Sequence, residues 1–66
     1  MPHIVKHHRL PRSLGGKSNK FNISHLPYFL HVAWHVLFRN WTAHEIAKEI
    51  NLRYLDPQYE LIVRRK

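Results

Sequence analysis

No cysteine occurs anywhere in these 66 residues. That absence excludes disulfides and thiolate zinc sites together, and a chain this short buries too little apolar surface to rest comfortably on a hydrophobic core alone. A histidine-held metal ion or a partner chain remains as the source of added stability. Acidic residues are few and late: Glu45, Glu49, Asp56 and Glu60 all fall in the last third, and the first 44 positions hold none. Over those positions Lys6, Arg9, Arg12, Lys17, Lys20 and Arg39 therefore stand unopposed, and the formal net charge is +7. A surface of that sign concentrates polyanions, of which nucleic acid is the commonest. No apolar run approaches the length of a bilayer crossing, and Met1-Pro2-His3 is not followed by the apolar core of a secretion signal. A single soluble, cytoplasmic domain spanning 1–66 is expected.

Glycine is confined to Gly15-Gly16, and around it the run from Pro11 to Asn19 reads as a loop. Ahead of it, His3 to His8 contains β-branched residues and no breaker, which predicts a short strand ending near the histidine pair. Lys20 to Ser24 is expected to return as a second strand, so that a long loop joins a hairpin. Pro27 suits the first turn of a helix, and PYFLHVAWHVLFR runs on unbroken to Arg39. In that helix Leu30, Ala33, Trp34, Leu37 and Phe38 follow a core-facing period, while His31 and His35 lie one turn apart on an adjoining stripe. Thr42-Ala43-His44-Glu45 is a capping-box signature and predicts an accessory helix over 42–52, with Ile46, Ala47 and Ile50 as its apolar face. Asp56-Pro57 then interrupts, Tyr59 to Val63 has strand-like composition, and 56–66 forms a tail ending in Arg64-Arg65-Lys66. The fold class is α+β.

Seven histidines are present, and four of them have a telling spacing. His7-His8 is followed fourteen residues after the second by Asn22, and nine residues later by the first member of an H-x-x-x-H pair, His31 and His35. Helical spacing puts the last two at about 5–6 Å between Cβ atoms, a separation two ligands of one ion can use. A regular strand sends neighbouring side chains to opposite faces, so His7 and His8 can serve one site only at a strand end or a bend. His3, His25 and His44 read as ordinary surface or packing residues, and Trp34, Phe38 and Trp41 as core.

The stretch HHRLPRSLGGKSNKFNISHLPYFLHVAWH, residues 7–35, resembles the HNH (His-Me finger, ββα-metal) endonuclease family, and within it the nuclease domains of DNase colicins. The resemblance implies a small ββα-metal finger with a second helix and a short C-terminal strand or tail appended. It implies that His8 is the general base, that Asn22 orients the His8 ring through a hydrogen bond, and that His7, His31 and His35 hold one divalent metal ion. Three imidazoles suit Zn²⁺, Ni²⁺ or another transition metal better than Mg²⁺, with Mn²⁺ and Mg²⁺ kept as candidates. Imidazole titrates near neutrality and can take a proton from water, while a nearby cation opposes its protonation. Arg9, Arg12, Lys17 and Lys20 would grip the phosphate backbone of DNA, with RNA as the other candidate substrate. Two features depart from the family pattern. His7 stands where many members have an aspartate, and Ile4-Val5-Lys6 offers no carboxylate to orient a ligand. With six residues ahead of His7, little sequence selectivity is expected.

The implied function is metal-dependent hydrolysis of DNA phosphodiester bonds, of a kind carried by phages and mobile elements. A second reading is a non-catalytic nucleic-acid-binding module that keeps the scaffold within a larger ribonucleoprotein. A third, a helix-turn-helix regulator, is prompted by TAHEIAKEIN and weakened by Asp56-Pro57 where a recognition helix should begin. The second helix and tail are expected to cover the first helix or to meet a second copy or a larger protein partner.

Overall fold

A computed structural model describes residues 3–66. The chain forms an antiparallel hairpin followed by two helices, an α+β arrangement whose first three elements run ββα. Strand β1 (Ile4–His8) pairs with β2 (Ile23–Pro27), placing Val5 opposite Leu26 and His7 opposite Ser24. One further backbone bond, Arg9 N–H to the Asn22 carbonyl at 2.8 Å, closes the hairpin beyond the regular ladder.

The second strand begins three residues later than Lys20, where the composition placed it. Asn19 is the reason. Its side-chain oxygen accepts from the Phe21 and Asn22 amides at 3.0 and 3.1 Å, and its carbonyl accepts from Asn22 and Ile23. This winds 20–22 into a turn, because a short polar side chain bonding its own backbone outcompetes weak strand propensity.

Pro27 ends β2 and caps the first helix, α1 (Tyr28–Phe38), which packs across both strands. Its missing N–H falls among the donors a helix start leaves free, so it opens the helix without loss. The expected core stripe is rotated. Leu30, Ala33 and Leu37 are exposed, and the residues facing inward are His31, Trp34, His35 and Phe38. The cause lies in the partner surface, where His7 is buried on β1 and meets three inward rings edge-on: His31, Trp34 and His35 at 5.3, 5.7 and 6.1 Å. Phe38 is the only buried hydrophobic side chain among the described residues, and it stacks on Trp34 at 4.6 Å.

The capping box forms as read. Thr42 Oγ1 accepts from the Glu45 amide at 3.2 Å, and Glu45 Oε1 accepts from the Thr42 amide at 2.9 Å, opening α2 (Ala43–Glu49). A wide π turn over Ile50–Tyr54 continues it, with an Arg53–Glu49 ion pair at 2.8 Å on its surface. Among the described residues no helix follows, so the recognition helix of a helix-turn-helix motif is missing. Nor does 59–63 form a strand. The Asn51 side chain bonds its backbone instead: Nδ2 donates to the Leu61 carbonyl at 2.9 Å and Oδ1 accepts from the Leu61 amide at 2.7 Å. No helix among the described residues is long and apolar enough to cross a membrane.

Candidate metal centre

His7 comes from β1, and His31 and His35 from successive turns of α1. Each offers one ring nitrogen such that the three atoms lie within 4.8 Å of one another, close enough to bind a single ion. The rings sit edge to face, with His31 and His35 centroids 4.5 Å apart. His7 is 8% exposed, and the Nδ1 atoms of His7 and His31 are buried without a hydrogen-bond partner. Buried polar atoms left unpaired destabilise a fold, and two of the three converging imidazoles carry one.

Electrostatics prepares the same site. Burial, reinforced by the neighbouring imidazoles and Arg9, pushes the His7 pKa below its ordinary value. Burial and then His35 do the same for His31. Both shifts favour the neutral imidazole, the form that ligates metal, since protons and cations compete for the same lone pair. Three imidazole ligands leave coordination positions open, and an all-nitrogen set suits Zn²⁺ or Ni²⁺ better than Mg²⁺. The three residues therefore fit a single metal ion.

His8 does not join the trio, yet it lines the same cleft, of about 250 Å³. The condition set by strand geometry is met because His8 is the last residue of β1 and the chain bends at Arg9-Leu10. His8 Nε2 lies 3.0 Å from Ser18 Oγ.

Asn22 does not touch the His8 ring. Its amide is spent on the loop: Oδ1 accepts from the Leu10 amide at 2.6 Å, and Nδ2 donates to the Leu10 and Lys17 carbonyls at 3.0 and 2.9 Å. A direct Asn22–His8 bond is thus corrected to an indirect relation, in which Asn22 fixes the backbone beside Ser18 and Ser18 meets the histidine. The loop is tight elsewhere too. Gly15 has φ of 92°, and a Cβ on Gly16 would overlap the Leu10 carbonyl. Such a loop holds Pro11, Arg12 and Ser13 against the cleft.

The four basic residues read as phosphate contacts divide. Arg12 lines the cleft. Arg9 donates to the Phe21 carbonyl at 3.3 Å and borders a separate apolar groove beside Leu10, Phe21 and Trp41. Lys17 serves through its carbonyl, and the Lys20 ammonium lies 5.4 Å from the Phe21 ring centre, so neither lines the cleft. Lys6 and Arg39 do line it. Both count among the unopposed cations of the sequence but not among its expected phosphate contacts, although Arg39 stands four residues beyond His35, the same interval that separates the two helical histidines. Ser18 gave no signal at all, since nothing in its neighbours marks a serine that will meet a histidine ten positions away.

Comparisons with known proteins return nothing that matches this chain: no family model, no curated protein and no solved structure.

Proposed function

We propose that the protein is an HNH-like endonuclease that hydrolyses phosphodiester bonds of DNA at this cleft. The observation that supports this reading most directly is the convergence of His7, His31 and His35 on one cation-sized space, with a fourth imidazole, His8, on the wall of the same cleft. A structural metal site has no use for an additional open-facing histidine, whereas hydrolysis needs a base beside the ion.

A divalent cation held by the three imidazoles would act as a Lewis acid, offsetting the charge that builds on the phosphate. The chain's own groups do the rest. In this mechanism His8 Nε2, 3.0 Å from Ser18 Oγ, keeps its proton and donates it to that hydroxyl, which leaves the Nδ1 lone pair as the base. His8 Nδ1 takes a proton from water as the water oxygen bonds to phosphorus. The bond from phosphorus to the 3′ oxygen breaks, and the departing oxygen is protonated by solvent. Arg12 and Lys6 on the cleft wall hold the phosphate backbone in register. The loop pinned by Asn22 and Gly16 keeps His8 and Arg12 at fixed separation, which limits the reorganisation needed in the transition state.

Relaxation of supercoiled plasmid tests the reading. Cleavage should require added Zn²⁺, Ni²⁺ or Mn²⁺, stop with chelator, and fall by at least about 100-fold in His8→Ala while metal binding persists. Cutting that survives His8→Ala would remove the mechanism. Binding of DNA without any cutting, with metal bound, would support the non-catalytic module instead.

A further inference from the structure

Helix α1 ends at Arg39, whose backbone is bent in a way that arginine rarely tolerates. Its φ and ψ of 49° and −132° match the first central position of a type II′ turn, and the Trp41 amide donates to the Phe38 carbonyl at 3.1 Å to close that turn. Glycine is the residue such a position ordinarily takes, because a Cβ crowds the backbone there. Among the described residues Arg39 is the only non-glycine residue with positive φ. A cation does interact favourably with a helix C-terminus. That gain, however, is open to a lysine or arginine anywhere in the last turn without bending the backbone. Strain kept at one residue points to a demand on its side chain.

The side chain lies where a demand exists. Arg39 lines the cleft with His7, His8, His31 and His35, and it extends the stripe begun by the two helical ligands. No carboxylate lines that cleft, and among the described residues none stands within ion-pair distance of Arg39. An unpaired guanidinium presents a planar fork of donors that matches two oxygens of a phosphate, a geometry lysine lacks.

We infer that Arg39 is a substrate-gripping residue, which engages the non-bridging oxygens of a nucleic-acid phosphate at the metal cleft, and that the II′ turn is held in an arginine-unfriendly shape to place it there. The inference rests on the phosphodiester reading above. It sets stability and function against each other at one position, so a single substitution should move them in opposite directions.

Arg39→Gly is therefore expected to raise Tm by about 5 °C, by relieving the turn, while lowering the rate of plasmid cleavage by about 100-fold. Arg39→Lys should keep the strain and recover only part of the rate. In metal-loaded protein carrying His8→Ala, which is expected not to cut, binding of a short DNA duplex followed by fluorescence anisotropy should weaken on adding Arg39→Gly, with the slope of log affinity against log salt shallower by about 0.9. Lys48→Gln, outside the cleft, is the control for charge alone and should leave cleavage unchanged. Full cleavage by Arg39→Gly would overturn the inference, and so would a fall in its Tm, which would make the arginine a structural part of the turn. Should the wild-type protein bind DNA but not cut it, the nuclease reading fails by itself, and the anisotropy arm still decides Arg39: an unchanged affinity and slope would dismiss it.

Discussion

Helix α1 has two faces, and they reverse the usual arrangement. Toward the hairpin it turns His31, Trp34, His35 and Phe38; toward solvent it turns Phe29, Leu30, Val32, Ala33, Val36 and Leu37, with Val36 73% exposed. An amphipathic helix ordinarily buries its aliphatic stripe. Here the place of a core is taken by a site, and imidazoles occupy the positions that leucines would fill elsewhere. The inner face can be the stabilising one only if something satisfies its nitrogens, and a metal ion held by the three histidines would do the work that apolar packing does in a larger domain.

Removing the ion is the harshest way to break that comparison. An ion bound to the native state alone, and present at 1,000 times its Kd, contributes about 4 kcal/mol, which for a chain of this size corresponds to a Tm fall of roughly 15 °C or more on chelation. Calorimetry of Zn²⁺-loaded and EDTA-treated protein measures it directly. An identical melt for the two samples would mean that the inner face is held by its rings alone.

Acidification probes the same face more gently. The pKa values of His7 and His31 are held below the ordinary 6.5 in the fold, so the unfolded chain binds protons more readily than the native one. Stability from these groups is then complete above about pH 6.5 and is lost as pH falls through the unfolded value toward the folded ones. Metal-free protein should accordingly show a denaturant midpoint that declines between pH 7.5 and 5. His31→Gln, with its ring removed, should flatten part of that decline. A midpoint that climbs on acidification would show that the histidines are stabilised in their charged form and that the inner face is not a ligand set.

What the sequence disclosed about these faces, and what it hid, follows from the range of the interactions involved. The capping box at Thr42 and Glu45, the turn at Asp56-Pro57 and the helix after Pro27 are local, and each was legible because its cause lies within four residues of its effect. The histidine trio was legible for a different reason: the intervals joining HH, Asn22 and H-x-x-x-H resemble a known metal-site motif, and that resemblance implied which three would converge. The rotation of α1 was not legible, since the periods through Leu30 and through His31 differ by a single residue and only the surface of β1 chooses between them. Asn51 bonding Leu61, and Asn22 bonding Leu10 and Lys17, also join distant positions. An asparagine looks the same in a sequence whether it braces a loop or faces water.

The outer face supplies the smallest expected effect and the finest test. Replacing the exposed Val36 by Gln removes little buried area and exchanges a β-branched residue for a better helix former, so a monomer should change in stability by no more than about 0.5 kcal/mol. Denaturant melts at two protein concentrations a hundredfold apart measure both the size and the origin of any change. A loss well above that figure, growing with concentration in the wild type alone, would mean that copies of the chain cover this face in solution. The helix would then bury aliphatic side chains after all, against another molecule, and the contrast between its faces would become one between a metal centre and a subunit interface. A concentration-independent, near-zero effect would leave the inner face as the single stabilising surface of α1.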